Sequence, residues 1–90
     1  MTKLVNFNEV FDIAFEHHKK KNYVLAISLY KQLLNVDPDN KIILNALGIS
    51  LLDNKTYTEA INCFTKIIKI YPSFIDAHYN LGTAFKRLEK

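Results

Sequence analysis

Residues 41–72 read KIILNALGISLLDNKTYTEAINCFTKIIKIYP, and their most distinctive members recur 34 places earlier in the chain. Tyr57, Ala60, Phe64, Ile67 and Pro72 echo Tyr23, Ala26, Tyr30, Leu33 and Pro38, every pair at the same offset. Ahead of Tyr57 stands Leu44-x-x-Leu47-Gly48-x-x-Leu51, and one period later His78-x-x-Leu81-Gly82-x-x-Phe85. An internal repeat of this length sets the architecture before local propensity is counted, because neighbouring units stack to bury a continuous core.

On both sides of this stretch apolar residues recur at helical spacing in every segment. The first helix is predicted at about 7–20, with Val10, Ile13, Ala14 and His17 on one stripe and Asn6 and Glu9 at capping-box spacing. A second, about 23–35, carries Tyr23, Ala26, Ile27, Tyr30, Leu33 and Leu34, with Asn22 as its N-cap, and stops at Asp37-Pro38. Asn40 caps a third, about 41–52. Thr56 and Glu59 open a fourth, about 57–70, ended by Tyr71-Pro72, and Ser73 with Asp76 starts a fifth that runs to about Leu88. Connections of three to five residues make neighbours antiparallel. Gly48 sits mid-helix, where glycine costs about 0.5–1 kcal/mol relative to alanine. Close helix contact is the offsetting cause, and Ala14 and Gly82 keep the equivalent places small.

Ninety residues make one small domain with little room for an enclosed active site. Twelve Lys/Arg are set against nine Asp/Glu along the whole length, a mixture that speaks against a nucleic-acid stripe even though Lys19, Lys20 and Lys21 adjoin. That run falls at a helix C-terminus, where it complements the dipole. The single cysteine, Cys63, excludes an internal disulfide and leaves no Cys/His zinc cluster. Without an apolar h-region or a membrane-length apolar window, the expected protein is soluble and cytoplasmic, with no membrane partner. His17 and His18 point about 100° apart on a helix and cannot share a metal, and His78 falls at a packing place. Cys63, though near Lys66 and Lys69, is read as a quiet thiol. No Ser/His/Asp order, phosphate loop or carboxylate pair supports an enzyme, and no cofactor is expected.

A small residue at the eighth place, Tyr at the seventeenth, Ala at the twentieth, an aromatic at the twenty-fourth and Pro at the thirty-second make each unit resemble a tetratricopeptide repeat. The resemblance implies an all-α, right-handed solenoid of five helices. Residues 1–6 form a tail, 7–40 the first repeat and 41–74 the second, while 75–90 form either a capping helix or the first half of a third. The large aromatic frequent at the fourth place is Val10, Leu44 and His78 here.

Such domains hold a peptide or helix on the concave surface lined by the first helix of each unit. Carried over by position, that surface comprises Asn8, Phe11, Phe15, His18 and Lys19, then Ile42, Asn45, Ile49, Leu52 and Asp53, then Asp76, Tyr79, Thr83, Lys86 and Arg87. Of these, Phe11, Phe15, Asn45, Ile49, Leu52, Tyr79, Thr83 and Lys86 are the candidate partner-binding residues. The carboxylate clamp of chaperone-tail binders is missing, since its places hold Phe11, Phe15, Ala46, Asp76 and Asn80. The expected partner is a protein or peptide, with self-association through the apolar groove or the open solenoid end as the alternative.

Overall fold

The computed structural model describes residues 6–89. Five helices follow one another, α1 Phe7–Lys19, α2 Tyr23–Val36, α3 Lys41–Asp53, α4 Tyr57–Ile70 and α5 Ile75–Leu88, with no strand among the described residues. The tail read at 1–6 lies, apart from Asn6, outside them. Each helix packs on the next, and α3 additionally touches both α1 and α5, whereas the backbones of α2 and α4 stay apart and are bridged by the Lys31–Glu59 ion pair at 3.5 Å. The odd-numbered helices therefore form the inner layer of a curved array and α2 and α4 the outer one, in a slab of 48 × 27 × 16 Å.

The helix starts divide into two kinds. Asn6 and Asn40 have extended backbones, with ψ of 137° and 109°, which aim their side chains at the N–H groups ahead. Asn6 accepts from Asn8 N at 2.7 Å, and Asn40 from both Ile42 N and Ile43 N at 3.0 Å. Asn22 and Thr56 occupy N-cap places but make no capping bond, because ψ of 65° and 70° turns their side chains away. The predicted capping role of Asn22 and the Thr56–Glu59 box therefore do not form. Thr56 Oγ1 accepts instead from Asn54 Nδ2 at 3.0 Å. The fifth helix is also entered later than predicted, with Phe74 and not Ser73 at its N-cap.

The turns after α1 and α3 explain those values of ψ. Asn22 N donates to His17 O and Lys21 N to His18 O, at 2.8 and 2.9 Å; one period on, Thr56 N donates to Leu51 O and Lys55 N to Leu52 O, at 2.8 and 3.0 Å. These are two Schellman closures, with the left-handed place filled by Lys21 (φ 66°) and Lys55 (φ 65°). A side chain in that region is disfavoured by about 1–2 kcal/mol. Lys55→Gly is thus expected to stabilise the fold by about 0.5–1 kcal/mol, part of the relief being lost to the entropy of unfolded glycine. A rise in urea midpoint at unchanged slope is the check.

The core repeats as the sequence does. Ala14, Ala26, Tyr30, Ala60, Phe64 and Ile67 are fully buried. A Cβ placed on Gly48 would stand 2.5 Å from Phe64 Cε1 and 2.7 Å from Cζ, so the glycine leaves room for one aromatic ring of the facing helix. Gly82 departs from the expectation that the same crowding keeps it small. Nothing lies within 4 Å of a Cβ built there, because no helix of the α2 or α4 kind covers α5 among the described residues.

Candidate functional site

Inner helices α1 and α3 splay enough to leave an open cavity of about 220 Å³, lined by Phe11, Phe15, His18, Tyr30, Ile42, Asn45, Ala46 and Ile49. Phe11 leans its ring on buried Tyr30 at 5.7 Å and runs parallel to Phe15 at 6.5 Å. The floor is consequently held by the core, while the rim is free: Phe15 is 48 % exposed and Ile42 53 %. At the α5 side, Asn80 Nδ2 donates to Asn45 Oδ1 at 2.9 Å, leaving one donor group and one acceptor of this amide pair outside the bond.

The eight candidate residues are not all brought together. Phe11, Phe15, Asn45 and Ile49 share the cavity. Tyr79, Thr83 and Lys86 line a separate depression on α5 with His78, Gly82 and Phe85. Leu52 is 4 % exposed and belongs to the core, so its placement in the groove is corrected. The register that leaves His18 partly buried and Lys86 exposed buries Leu52, because α3 alone has an inner-layer neighbour on each side. His78, expected at a packing place, is exposed and donates from Nε2 to Pro72 O at 2.7 Å.

One constellation escaped the reading by repeat position. His18 Nδ1 lies 2.6 Å from Ser50 Oγ, and its Nε2 lies 2.9 Å from Asp53 Oδ2. A carboxylate only accepts, so in the neutral ring Nε2 carries the hydrogen and Nδ1 takes that of the Ser50 hydroxyl. Arg87 Nη1 donates to the other oxygen of Asp53 at 3.2 Å. The chain of contacts thus ties α1, α3 and α5 together across the inner layer. It has the residue types of a hydrolase triad, but Ser50 is 0 % exposed and its hydroxyl cannot reach a substrate. The available signal was the spacing of Ser50 and Asp53, three places apart on one face of α3, opposite a histidine.

The other polar candidates have ordinary structural partners. Lys19 pairs with Glu16 at 2.8 Å and lies 5.2 Å over the Phe15 ring, so the first residue of the lysine run serves its own helix. Among the described residues no group of three His, Cys, Asp or Glu could hold a metal, and no helix is long and apolar enough to cross a membrane. Burial pushes the Cys63 thiol from an ordinary value near 9 up to about 11, with Glu59 adding to the rise and Lys31 and Lys66 opposing it. Its thiolate is then about 100-fold scarcer near pH 8 than that of a free cysteine, and alkylation is expected to be slower by about that factor until denaturant is added. Because the folded form holds the proton longer, Cys63 contributes stability that is complete below pH 9 and lost between about 9 and 11. Cys63→Ala should flatten that part of the melting profile.

A family model described as TPR repeat matches residues 50–88. The chain is similar to the peroxisomal targeting signal receptor of Candida albicans, 36 % identical over 59 residues that make up 66 % of this chain and 10 % of that protein. It is 30 % identical over 67 residues to the receptor of the same name from Saccharomyces cerevisiae, over 74 % of this chain and 11 % of the receptor. Similarity of 26 % over 73 residues extends to protein O-mannosyl-transferase TMTC3 of Mus musculus, covering 81 % of this chain and 8 % of the transferase. The chain spans about a tenth of the length of the relatives it matches.

Proposed function

The chain belongs to the tetratricopeptide-repeat family, and from that premise we propose that it is a non-enzymatic protein-interaction module that holds a partner's peptide segment on its inner face, between α1 and α3. On this reading residues 7–40 and 41–74 are two repeats, and 75–90 a capping helix or the first half of a third. The observation that carries the reading is the pairing of a rigid floor with a free rim: Phe11 is braced on Tyr30, while Phe15 and Ile42 present about half their surface to solvent. Held aromatics that lose little freedom on binding make efficient anchors.

The size of the cavity, about 220 Å³, lies below the about 300–1,000 Å³ of small-molecule sites and suits an apolar side chain of a bound segment. Asn45 and Asn80, with a donor and an acceptor outside their mutual bond, match the peptide group, which offers one of each. The absence of lysine or arginine along the cavity lining favours an apolar segment over an acidic tail. Two of the relatives are named as receptors for a targeting signal, which favours recognition over chemistry. The transferase name of a third attaches to a protein of which this chain matches 8 %, and it is not carried over.

Selection from a random peptide library on the immobilised chain tests the reading. The wild type is expected to enrich sequences with one or two large apolar residues. Phe15→Glu, at a half-exposed place, should weaken the selected peptides at least about tenfold, typical of an anchor, with helix content by circular dichroism unchanged. Equal binding by Phe15→Glu would move the site elsewhere.

A further inference from the structure

Val24 and Leu25, in the first turn of α2, are 73 % and 45 % exposed although α1 and α3 both pack on that helix. Repeat packing does not call for them, since the equivalent places of α4 hold Thr58 and Glu59. With Lys21, Tyr23, Ser28 and Asn54 they line an open depression of about 630 Å³ where the α1–α2 turn adjoins the α3–α4 turn. Lys21 and Lys55 hold equivalent places in these two turns, each exposed and each in the left-handed region, at φ of 66° and 65°, that glycine adopts without cost. Strain of this kind, present twice with the same residue, is kept where the side chain has a use. Exposed Lys20 adds a third charge. Among the described residues none of these three lysines makes an ion pair, whereas the acids in the last turns of α1 and α3 are engaged, Glu16 by Lys19 and Asp53 by His18 and Arg87.

We propose that this depression is a docking site for a segment of a partner protein in which one or two large apolar residues are flanked by acidic ones. The apolar residues would cover Val24 and Leu25, and the acids would meet Lys20, Lys21 and Lys55, whose charges the chain itself leaves uncompensated. Charge complementarity of this kind steers encounter and suppresses wrong partners, while the apolar contact holds the complex. A peptide fits better than the other polyanions. Tyr23, the aromatic of the lining, is half-buried with His18 against it at 5.3 Å, so no free ring is offered for stacking on bases or for seating at a membrane interface. The site stands apart from the α1–α3 cavity and does not depend on the reading given to it.

The probe is a fluorescein-labelled octapeptide with leucine and phenylalanine at its centre and aspartate and glutamate on both sides, titrated with the whole chain and followed by anisotropy. Saturable binding that weakens with added salt is expected. It should fall at least tenfold when serine replaces the two apolar residues of the peptide. The same loss is expected from the double variant Val24→Thr, Leu25→Glu, which borrows the residues of the equivalent places in α4 and should keep its helix content by circular dichroism. Lys21→Gly with Lys55→Gly should bind at least tenfold more weakly and yet unfold at higher urea, a separation that lysines serving the fold alone would not give. Phe15→Glu should leave the titration unchanged; a loss there would assign the peptide to the α1–α3 cavity and overturn the proposal. No saturable binding, or undiminished binding by the variants, would also overturn it. So would retention of the chain by phosphatidylserine vesicles or duplex DNA, or a concentration-dependent dimer, if the same variants abolished it and the peptide did not compete.

Discussion

Gly48→Leu is expected to lower stability by about 1–3 kcal/mol, through overpacking at the α3–α4 contact. Even the first added carbon would stand 2.5 to 3.0 Å from three atoms of the Phe64 ring, and Phe64 is fully buried, with no free volume to retreat into. The gain in helix propensity from replacing glycine, about 1 kcal/mol at most, is smaller than the crowding it meets. For a chain this short the loss corresponds to a fall of roughly 5–20 °C in melting temperature, readable by calorimetry. Gly82→Leu is the internal control: the same substitution at the equivalent place adds a side chain to open space and should leave the melting temperature unchanged or raise it. Equal losses at both positions would show that helix crossing is not what glycine serves here.

Leu52→Glu is expected to be more damaging still, at least about 3 kcal/mol, since it removes a buried apolar side chain and places a carboxylate in the core. Total stability for a domain of this size is only about 5–13 kcal/mol, so loss of cooperative unfolding by circular dichroism is the expected readout. Phe15→Glu, also on the inner layer, should cost little, because its ring is 48 % exposed. The contrast between the two separates core from rim. If Leu52→Glu folded as well as Phe15→Glu, the burial of α3 between its neighbours would be wrong.

These two substitutions mark how far the sequence could be read. The 34-residue period predicted five helices close to where they lie, and the identity of the residues that repeat explains the Gly48–Phe64 contact. A repeat register, however, treats all copies alike, and the copies differ in what flanks them. Leu52, His18 and Lys86 share a register position; the first is core because α3 is central, while the others lie on flanking helices. The same effect of position left Gly82 and His78 open, where the pattern implied packing. Side-chain capping at Asn22 and Thr56 was misread for a local reason: both follow a Schellman turn whose backbone already closes the preceding helix. Ser50, His18 and Asp53 were out of reach of period counting, since they do not repeat and meet only when α1 lies against α3.

That contact network also bears on how the inner face keeps its shape. His18 joins two helices and Arg87 brings in a third through Asp53, so the curvature that opens the cavity is held by polar bonds at one edge and by the Phe11–Tyr30 contact at its floor. A groove preorganised in this way loses less freedom on binding than one that must close around its ligand.

The central claim is that the inner face, and not the outer one, takes the partner segment. Amide chemical-shift mapping of the isotopically labelled chain, titrated with a library-selected peptide, addresses it residue by residue. The largest shifts are expected at Phe11, Phe15, Asn45 and Ile49 on α1 and α3, with α2 and α4 little changed. Shifts concentrated on the outer faces of α2 and α4, with the cavity residues unmoved, would contradict it.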